Sequence, residues 1–340
     1  MKKAVKKVLL LRFSAMGDVA MAAAALREFA PLQPKTHFTM VSRPLFAPFF
    51  EGIDNLSFIA ADFNKTYKGL LGLWRLFHEL RRQKPDVVVD VHDVLRTKIL
   101  RFLFRLWGFQ VKKLNKGRRE KRRLTRRRHK QLKPLKSMIE RYTDALAAAV
   151  DSGQSAMSRM FLQPSTFNFQ LSTFNFQLKL GIAPFAKYKG KIYPLEKMEK
   201  VISYFAQKKN VEIYLFGGGE EEVNLLAEWA SKYKGVTSLA GKMSLSEELT
   251  QLAAMDLVLS MDSANMHLAS LAGTPVVSIW GATHSFAGFT GWRQSEANII
   301  QLDLACRPCS VFGNKPCYRN DYACLNIPEE IIIEKITTLL

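Results

Sequence analysis

The stretch LSMDSANMHLASLAGTPVVSIWGAT, Leu259 to Thr283, constrains the fold more than any other part of the chain. An apolar run stops at Asp262-Ser263, and a short segment of helical character carrying His267 follows. Gly273-Thr274-Pro275 then turns the chain into a second apolar run, Val276 to Trp280, closed by Gly281-Ala282-Thr283. Short unbroken apolar runs separated by a helix are the mark of buried parallel strands. Polar groups at the ends of such strands lie where open α/β sheets bind ligands. VLLLRFSAMGDVAMAAAALREF, Val8 to Phe29, repeats the arrangement, with Ser14, Gly17 and Asp18 in the loop after its apolar run.

Further along the first half, 8–12, 38–42 and 86–91 read as strands, with helices at 18–30, 69–83 and 94–107. In the second half, strands are expected at Lys179 to Ile182, Val211 to Phe216, Leu257 to Ser260 and Val276 to Trp280, and helices at 195–208 and 220–233. This alternation predicts parallel sheets with crossover helices. A chain of 340 residues has room for two such domains. Between them STFNFQL occurs twice in tandem, at 165–171 and 172–178. Seven residues is not a solenoid period, so the repeat is read as part of a linker. The expected organisation is a domain at 1–162, a linker at 163–178, a second domain at 179–325 and a C-terminal helix in 326–340.

Apolar residues make up 48% of the chain, enough for real cores, while no charge-free apolar run reaches the length of about 18 that marks a membrane span. The N-terminus mimics a signal peptide, but Arg12 and Asp18 interrupt its apolar run. It is read as the first strand of a cytoplasmic protein. The formal charge of +20 is concentrated: Lys112 to Lys136 holds 14 lysines and arginines against one glutamate. Such a run is either a solvated face or the footprint of an anionic partner, such as a membrane surface or a phosphorylated lipid. No DNA- or RNA-binding motif accompanies it, so nucleic acid is not an expected partner.

The two strand-end blocks together resemble glycosyltransferase family 9, the ADP-heptose:lipopolysaccharide heptosyltransferases. That family has an S-x-M-G-D loop after its first strand, matched by Ser14-Ala15-Met16-Gly17-Asp18. It also has D-[ST]-G-x-x-H-L-A, then G-T-P and a strand ending G-P-T. The counterparts here are Asp262 to Ala269, Gly273-Thr274-Pro275 and Gly281-Ala282-Thr283, with Ala264 in place of the glycine and Ala282 in place of the proline. The resemblance implies the GT-B fold, an α/β architecture of two Rossmann-like domains whose parallel sheets face a central cleft. The N-terminal domain would serve the acceptor and the C-terminal domain the nucleotide sugar.

The reaction it implies is inverting transfer of a heptose or similar sugar from an ADP-sugar to the inner core of lipopolysaccharide, with no cofactor required. Such transfer needs a base for the acceptor proton, positive charge or amide donors for the departing diphosphate, and groups that hold the sugar. The resemblance places the base at Asp18; read from its residues alone, Asp18 is equally a helix N-cap. Ser14, Gly17, His92 and Arg96 are expected on the acceptor side. For the donor, the family's K-x-W-P block points to Lys191, with Tyr193 in place of tryptophan and with Lys187 and Lys189 close by. Gly217 and Glu222 would lie near the nucleoside, although a tight turn before an acidic helix start explains them as well. Asp262 would hold sugar hydroxyls. Ser263, Ala264 and His267 would lie at the diphosphate, where the amides of a helix start bind anions. Thr283 would line the same cleft.

Other features leave alternatives. Asp90, His92 and Asp93 are metal-type ligands, but neighbours in a row cannot all converge, and metal-independent transfer is expected. The basic amphipathic segment at 94–107 either packs its apolar side in the core or grazes a membrane. Cys306, Cys309, Cys317 and Cys324 fall within 19 residues, a clustering that admits a structural zinc. A Rossmann NAD(P) oxidoreductase is a rival, weakened because no glycine fingerprint follows a strand. A non-enzymatic adaptor for anionic surfaces is another, and it does not explain the paired strand-end groups. The protein is expected to be cytoplasmic and peripheral at the inner membrane, which residues 112–136 would contact.

Overall fold

The computed structural model describes residues 5–150 and 177–340. The chain divides into two compact units. The first takes the chain up to Lys116 and again from Met138; the second takes Gly117–Ser137 and the C-terminal half. The expected linker and its tandem repeat lie outside the described residues apart from Gln177 and Leu178.

The first unit is built on one parallel sheet of β1 (Lys6–Leu11), β2 (Thr36–Ser42), β3 (Leu56–Ala60), β4 (Val87–Asp90) and β5 (Gln110–Lys113), in the order β3-β2-β1-β4-β5. The central strand β1 from Val8 onward, and all of β4, are buried on both faces, and so their sequences are unbroken apolar runs. β3 and β5 are edge strands, half-buried or polar. They carry no apolar run, which is why the sequence does not announce them. The helices are α1 (Met16–Phe29), α2 (Gly69–Arg82), α3 (Leu95–Leu106) and, after α4 (Arg118–Leu124) in the second unit, α5 (Met138–Val150). Ala22 to Ala25 are all buried and let α1 lie close to its neighbours. α2 and α3 pack through Phe77, which is fully buried, with its ring 5.0 Å from Phe104 and 5.2 Å from Trp107.

The second unit has β6 (Leu178–Ala183), β7 (Val211–Leu215), β8 (Val236–Ser238), β9 (Leu257–Met261), β10 (Val276–Ile279) and β11 (Ile299–Ile300), all parallel, in the order β11-β10-β9-β6-β7-β8. Besides α4, its helices are α6 (Leu195–Ala206), α7 (Glu220–Lys232), α8 (Leu245–Ala253), α9 (Ala264–Ala272) and α10 (Glu329–Leu339). Gly273 ends α9 with a left-handed φ of 91°, and Pro275 prevents the helix from resuming. α4 (Arg118–Leu124) opens the basic segment, much of which is built into this unit. Leu124 is fully buried, Lys121 lies 4.1 Å from the Phe289 ring centroid, and Arg127 lies 4.3 Å from that of Tyr318. Arg119, Arg122, Arg123, Arg126 and Arg128 remain exposed.

Each sheet has one switch point. The chain lays down β1, β2 and β3 in one direction, then returns to place β4 on the other side of β1; likewise it lays down β6, β7 and β8 before β9 joins the other side of β6. In open α/β sheets the crevice for ligands forms at the carboxyl ends of the two strands flanking such a point. No helix among the described residues is long and apolar enough to cross a membrane.

Phe77→Ala should cost about 3–5 kcal/mol in urea unfolding, because it empties the centre of the α2–α3 contact. A loss under about 1 kcal/mol would mean that something else holds the two helices.

Candidate functional site

At the β1/β4 switch point the chain leaves β1 through Arg12-Phe13-Ser14-Ala15 and enters α1 at Met16. Asp18 therefore stands in the first turn of α1 rather than in the loop. The N-cap position belongs to Ala15, so capping does not account for Asp18. Its Oδ2 is 2.7 Å from Nη2 of Arg12, and its side chain keeps 26% of its surface exposed. Arg12 is buried, and a buried cation must find partners. Its Nη1 donates to the Val91 carbonyl at 2.6 Å, and the guanidinium lies 5.5 Å from the Tyr142 ring centroid. Held this way, Arg12 fixes the aspartate.

His92 comes in from the end of β4. Its Nδ1 accepts the Phe13 amide at 3.4 Å, which assigns the ring proton to Nε2, 3.4 Å from Ser14 Oγ. Burial, reinforced by Arg12, Lys116, Arg43 and Arg96, pushes the His92 pKa down to about 3. The ring is neutral near pH 7. Ser14, Gly17, Asp18 and His92 are thus gathered at one switch point. Arg96 lies 5.2 Å from the ring of Phe63, which packs on Phe13 at 4.4 Å. Asp90 is different: Oδ1 accepts the amides of His92 and Asp93 at 3.0 and 2.8 Å, and Oδ2 meets Arg101 at 3.1 Å. The Asp90 carboxylate thus closes this turn.

The β6/β9 switch point gathers side chains from three adjacent strand ends. Asp262 follows β9, Thr283 follows β10, and Lys191 ends a short 3-10 turn, Lys189–Lys191, after β6. Asp262 Oδ2 sits 2.9 Å from Lys191 Nζ and accepts the Thr283 hydroxyl at 2.7 Å. Of the three lysines in this loop, Lys191 is the one at Asp262; Lys187 and Lys189 lie over Tyr188 and Tyr322. A Cβ on Gly313, whose φ is +74°, would fall 2.6 Å from the Lys191 stem, so only a glycine lets the lysine pass. Ser263 occupies the N-cap position of α9, its Oγ 3.3 Å from Ser260 Oγ. Ala264 and the buried His267 belong to the first turn, whose amides form the kind of helix start that receives anions.

Backbone bonds lock these loops together. The Ala282 amide donates to Gly190 O at 2.7 Å, and Ala282 O accepts the Cys309 amide at 2.9 Å. A proline at this position would lack the donor, so Ala282 has a structural use here. Behind them lies Arg307, nearly fully buried. Its guanidinium donates to the carbonyls of Trp280 (2.9 Å), Gly281 (2.5 Å), Thr283 (2.7 Å) and Leu302, and to Oε1 of Gln301 (3.1 Å). Lys130, from the basic segment, donates to the carbonyls of Arg307 (2.6 Å) and Ala305 (3.0 Å). Arg12, Tyr142, Lys130 and Arg307 were not among the expected site residues. Arg12 does carry a signal, a charge closing an apolar strand; the others carry none.

Gly217 and Glu222 stand apart at the β7–α7 turn. Glu222 Oε2 accepts the Gly218 amide at 2.8 Å, and burial raises the pKa of its carboxyl against that bond. A Cβ on Gly217 would fall 2.9 Å from Leu226. Gly217 belongs to the turn that leads into the acidic start of α7, and Glu222 to that start. Among the described residues no group of three or more His, Cys, Asp or Glu side chains is arranged to hold a metal ion. Burial lifts the Cys324 thiol to about 11.

A family model, glycosyltransferase family 9 (heptosyltransferase), matches residues 73–317. Lipooligosaccharide heptosyltransferase 2 of Campylobacter jejuni is 30% identical over 166 residues, 47% of this chain and 51% of that protein. The chain thus spans about half the length of that relative. Lipopolysaccharide core heptosyltransferase OpsX of Haemophilus influenzae is 24% identical over 296 residues, covering 82% of this chain and 80% of its own. Among solved structures, E. coli heptosyltransferase WaaC with ADP matches with a TM-score of 0.67 at 19% identity, over 98% of this chain and 100% of that one. The fold is therefore the expected α/β class with two parallel sheets, GT-B.

Two measurements test the site's framework. Arg307→Met should cost about 3–5 kcal/mol in denaturant unfolding, because it strips a buried set of carbonyls of their donor; a near-neutral change would show that the loops hold without it. Folding depresses the His92 pKa from 6.5 to about 3. The unfolded chain therefore binds more protons in that window, and stability should fall as pH drops through it. His92→Asn should make that fall shallower, and an unchanged slope would show that His92 is not held neutral.

Proposed function

Because the chain belongs to glycosyltransferase family 9 (heptosyltransferase), we propose that it moves a heptose from ADP-heptose to the inner core of lipopolysaccharide, inverting the anomeric carbon. Membership leaves the oxidoreductase and adaptor readings without support. The observation that carries the proposal is the meeting of Lys191, Asp262 and Thr283 at the β6/β9 switch point, where the chain enters α9.

The second unit holds the donor. Lys191, the amides at Ser263 and Ala264, and His267 receive the diphosphate, whose charge grows as its bond to the sugar breaks. Asp262 takes sugar hydroxyls, with Thr283 and Lys191 keeping its carboxylate in place. Gly217 and Glu222 lie toward the nucleoside. The first unit serves the acceptor through Ser14, Gly17, His92 and Arg96. An acceptor hydroxyl oxygen attacks the anomeric carbon while the carbon–oxygen bond to the diphosphate breaks. The hydroxyl proton passes to the Asp18 carboxylate, and ADP leaves with the bonding electron pair. His92, neutral and with its proton on Nε2, orients Ser14, and Asp18 is the base. Arg12 acts through Asp18 as a positioning residue. The scheme needs no metal, because Lys191 and the helix amides supply the positive charge. The exposed arginines within residues 112–136 draw in the acceptor's phosphates and the anionic surface that carries them. The chain thus works in the cytoplasm, peripheral to the inner membrane.

ADP release from ADP-heptose, with and without a Kdo-lipid A type acceptor, tests this reading. Release should depend on the acceptor. Asp18→Asn should lower turnover by about 10²–10⁴-fold while leaving ADP affinity within about twofold. Unchanged turnover would remove Asp18 from the mechanism, and no release by the folded wild type would place the donor or acceptor outside this pair.

A further inference from the structure

Helices α2 and α3 carry an apolar face that their packing does not explain. One side of each is buried in the first unit, through Leu73, Leu76, Phe77 and Leu80 on α2 and Leu100 and Phe104 on α3. On the other side Leu71 is 85% exposed, Leu95 73% and Phe102 64%. Leu95, Phe102 and Leu106 recur at helical spacing and form one stripe. Trp74 and Trp107, each 42% exposed, meet edge-on at 5.6 Å and join the face of α2 to the end of α3.

The rim of this face is cationic. Arg75, Arg82, Lys98 and Arg105 are exposed. α3 contains no acid, and the one acid of α2, Glu79, accepts the Tyr67 hydroxyl at 2.6 Å. Single exposed leucines are ordinary. A helical stripe with paired tryptophans at the joint and cations around it is not, and it matches what a bilayer surface asks of a protein. Leucine and phenylalanine enter the acyl boundary, tryptophan sits at the interface, and lysine and arginine meet anionic headgroups. A second copy of this chain would set like charges against each other. The basic segment at 112–136 differs, since it offers charge with one exposed large apolar side chain, Leu132.

We propose that the α2–α3 face is a membrane-docking surface that inserts Leu71, Phe102 and their neighbours into an anionic lipid bilayer. It rests on the transferase reading only in the choice of surface, since an acceptor anchored in lipid brings the enzyme there.

The test is cosedimentation of the full chain with vesicles of phosphatidylcholine, alone or with about one-third phosphatidylglycerol. Neither donor nor acceptor is present, so failure of the transferase reading leaves the result standing. Binding should favour the anionic vesicles and persist in part at high salt, because apolar contact is not screened. Leu71→Ser with Phe102→Ser should lower the partition coefficient by about tenfold or more, and Lys98→Gln with Arg105→Gln by roughly fivefold per residue. Both pairs should keep wild-type ADP release with a core-sugar acceptor lacking acyl chains. Neutralising Arg126, Arg127 and Arg128 should weaken binding without abolishing it. Wild-type binding by the Leu71/Phe102 variant would overturn the proposal, as would complete loss of binding at high salt. So would a dimer in sedimentation velocity that the same variant dissolves, in a protein that ignores vesicles.

Discussion

The second unit depends on one buried guanidinium. Arg307 collects the carbonyls of Trp280, Gly281, Thr283 and Leu302, and burial lowers its pKa. A guanidinium presents its donors in a rigid plane, so it fixes the oxygens it binds relative to one another. The carbonyl of Thr283 is one of them, and the hydroxyl of the same residue reaches Asp262, which in turn holds Lys191. The Ala282 amide ties the same loop back to Gly190, next to that lysine. Position is therefore transmitted from the backbone scaffold to the charged pair in a closed circuit, and neither Lys191 nor Asp262 relies on its own loop alone.

The first unit solves the same problem on a smaller scale. Arg12 is a buried cation just past an apolar strand, held by a carbonyl of the neighbouring strand's loop, and it fixes Asp18. His92 completes the arrangement without adding charge, because its environment keeps it neutral. In both units the polar apparatus sits at the switch point of a parallel sheet, where two diverging loops leave room for a ligand.

How legible this was depended on how local each signal is. Val8 to Leu11, Val87 to Val89 and Leu257 to Met261 are buried on both faces, so the central strands show as apolar runs and the polar residues after them stand out. Ser14, Asp18, Asp262 and Thr283 were therefore visible as strand-end groups. The edge strands β3, β5, β8 and β11 were not, since short or half-solvated strands need no apolar run. Nor was the choice among Lys187, Lys189 and Lys191 readable, because it turns on Gly313 clearing a path more than a hundred residues later in the chain. Arg307 lies between two cysteines that draw the eye to metal chemistry, and its own partners are backbone oxygens that every residue possesses. Nothing local marks Asp18 as helical, because helix onset at Met16 has no capping side chain.

Lys130 has a consequence for how such a chain can be divided. Its acceptors, among them the carbonyl of Arg307 itself, lie about 175 residues further on. The second unit is thus not a contiguous stretch of gene. A C-terminal half cut free at the tandem repeat, or grafted onto the N-terminal half of a relative, would leave behind the helix that buries Leu124 and the lysine that closes the Arg307 loop. The natural module for recombination is the C-terminal half together with the segment 117–137, and drift in either piece is answerable to the other.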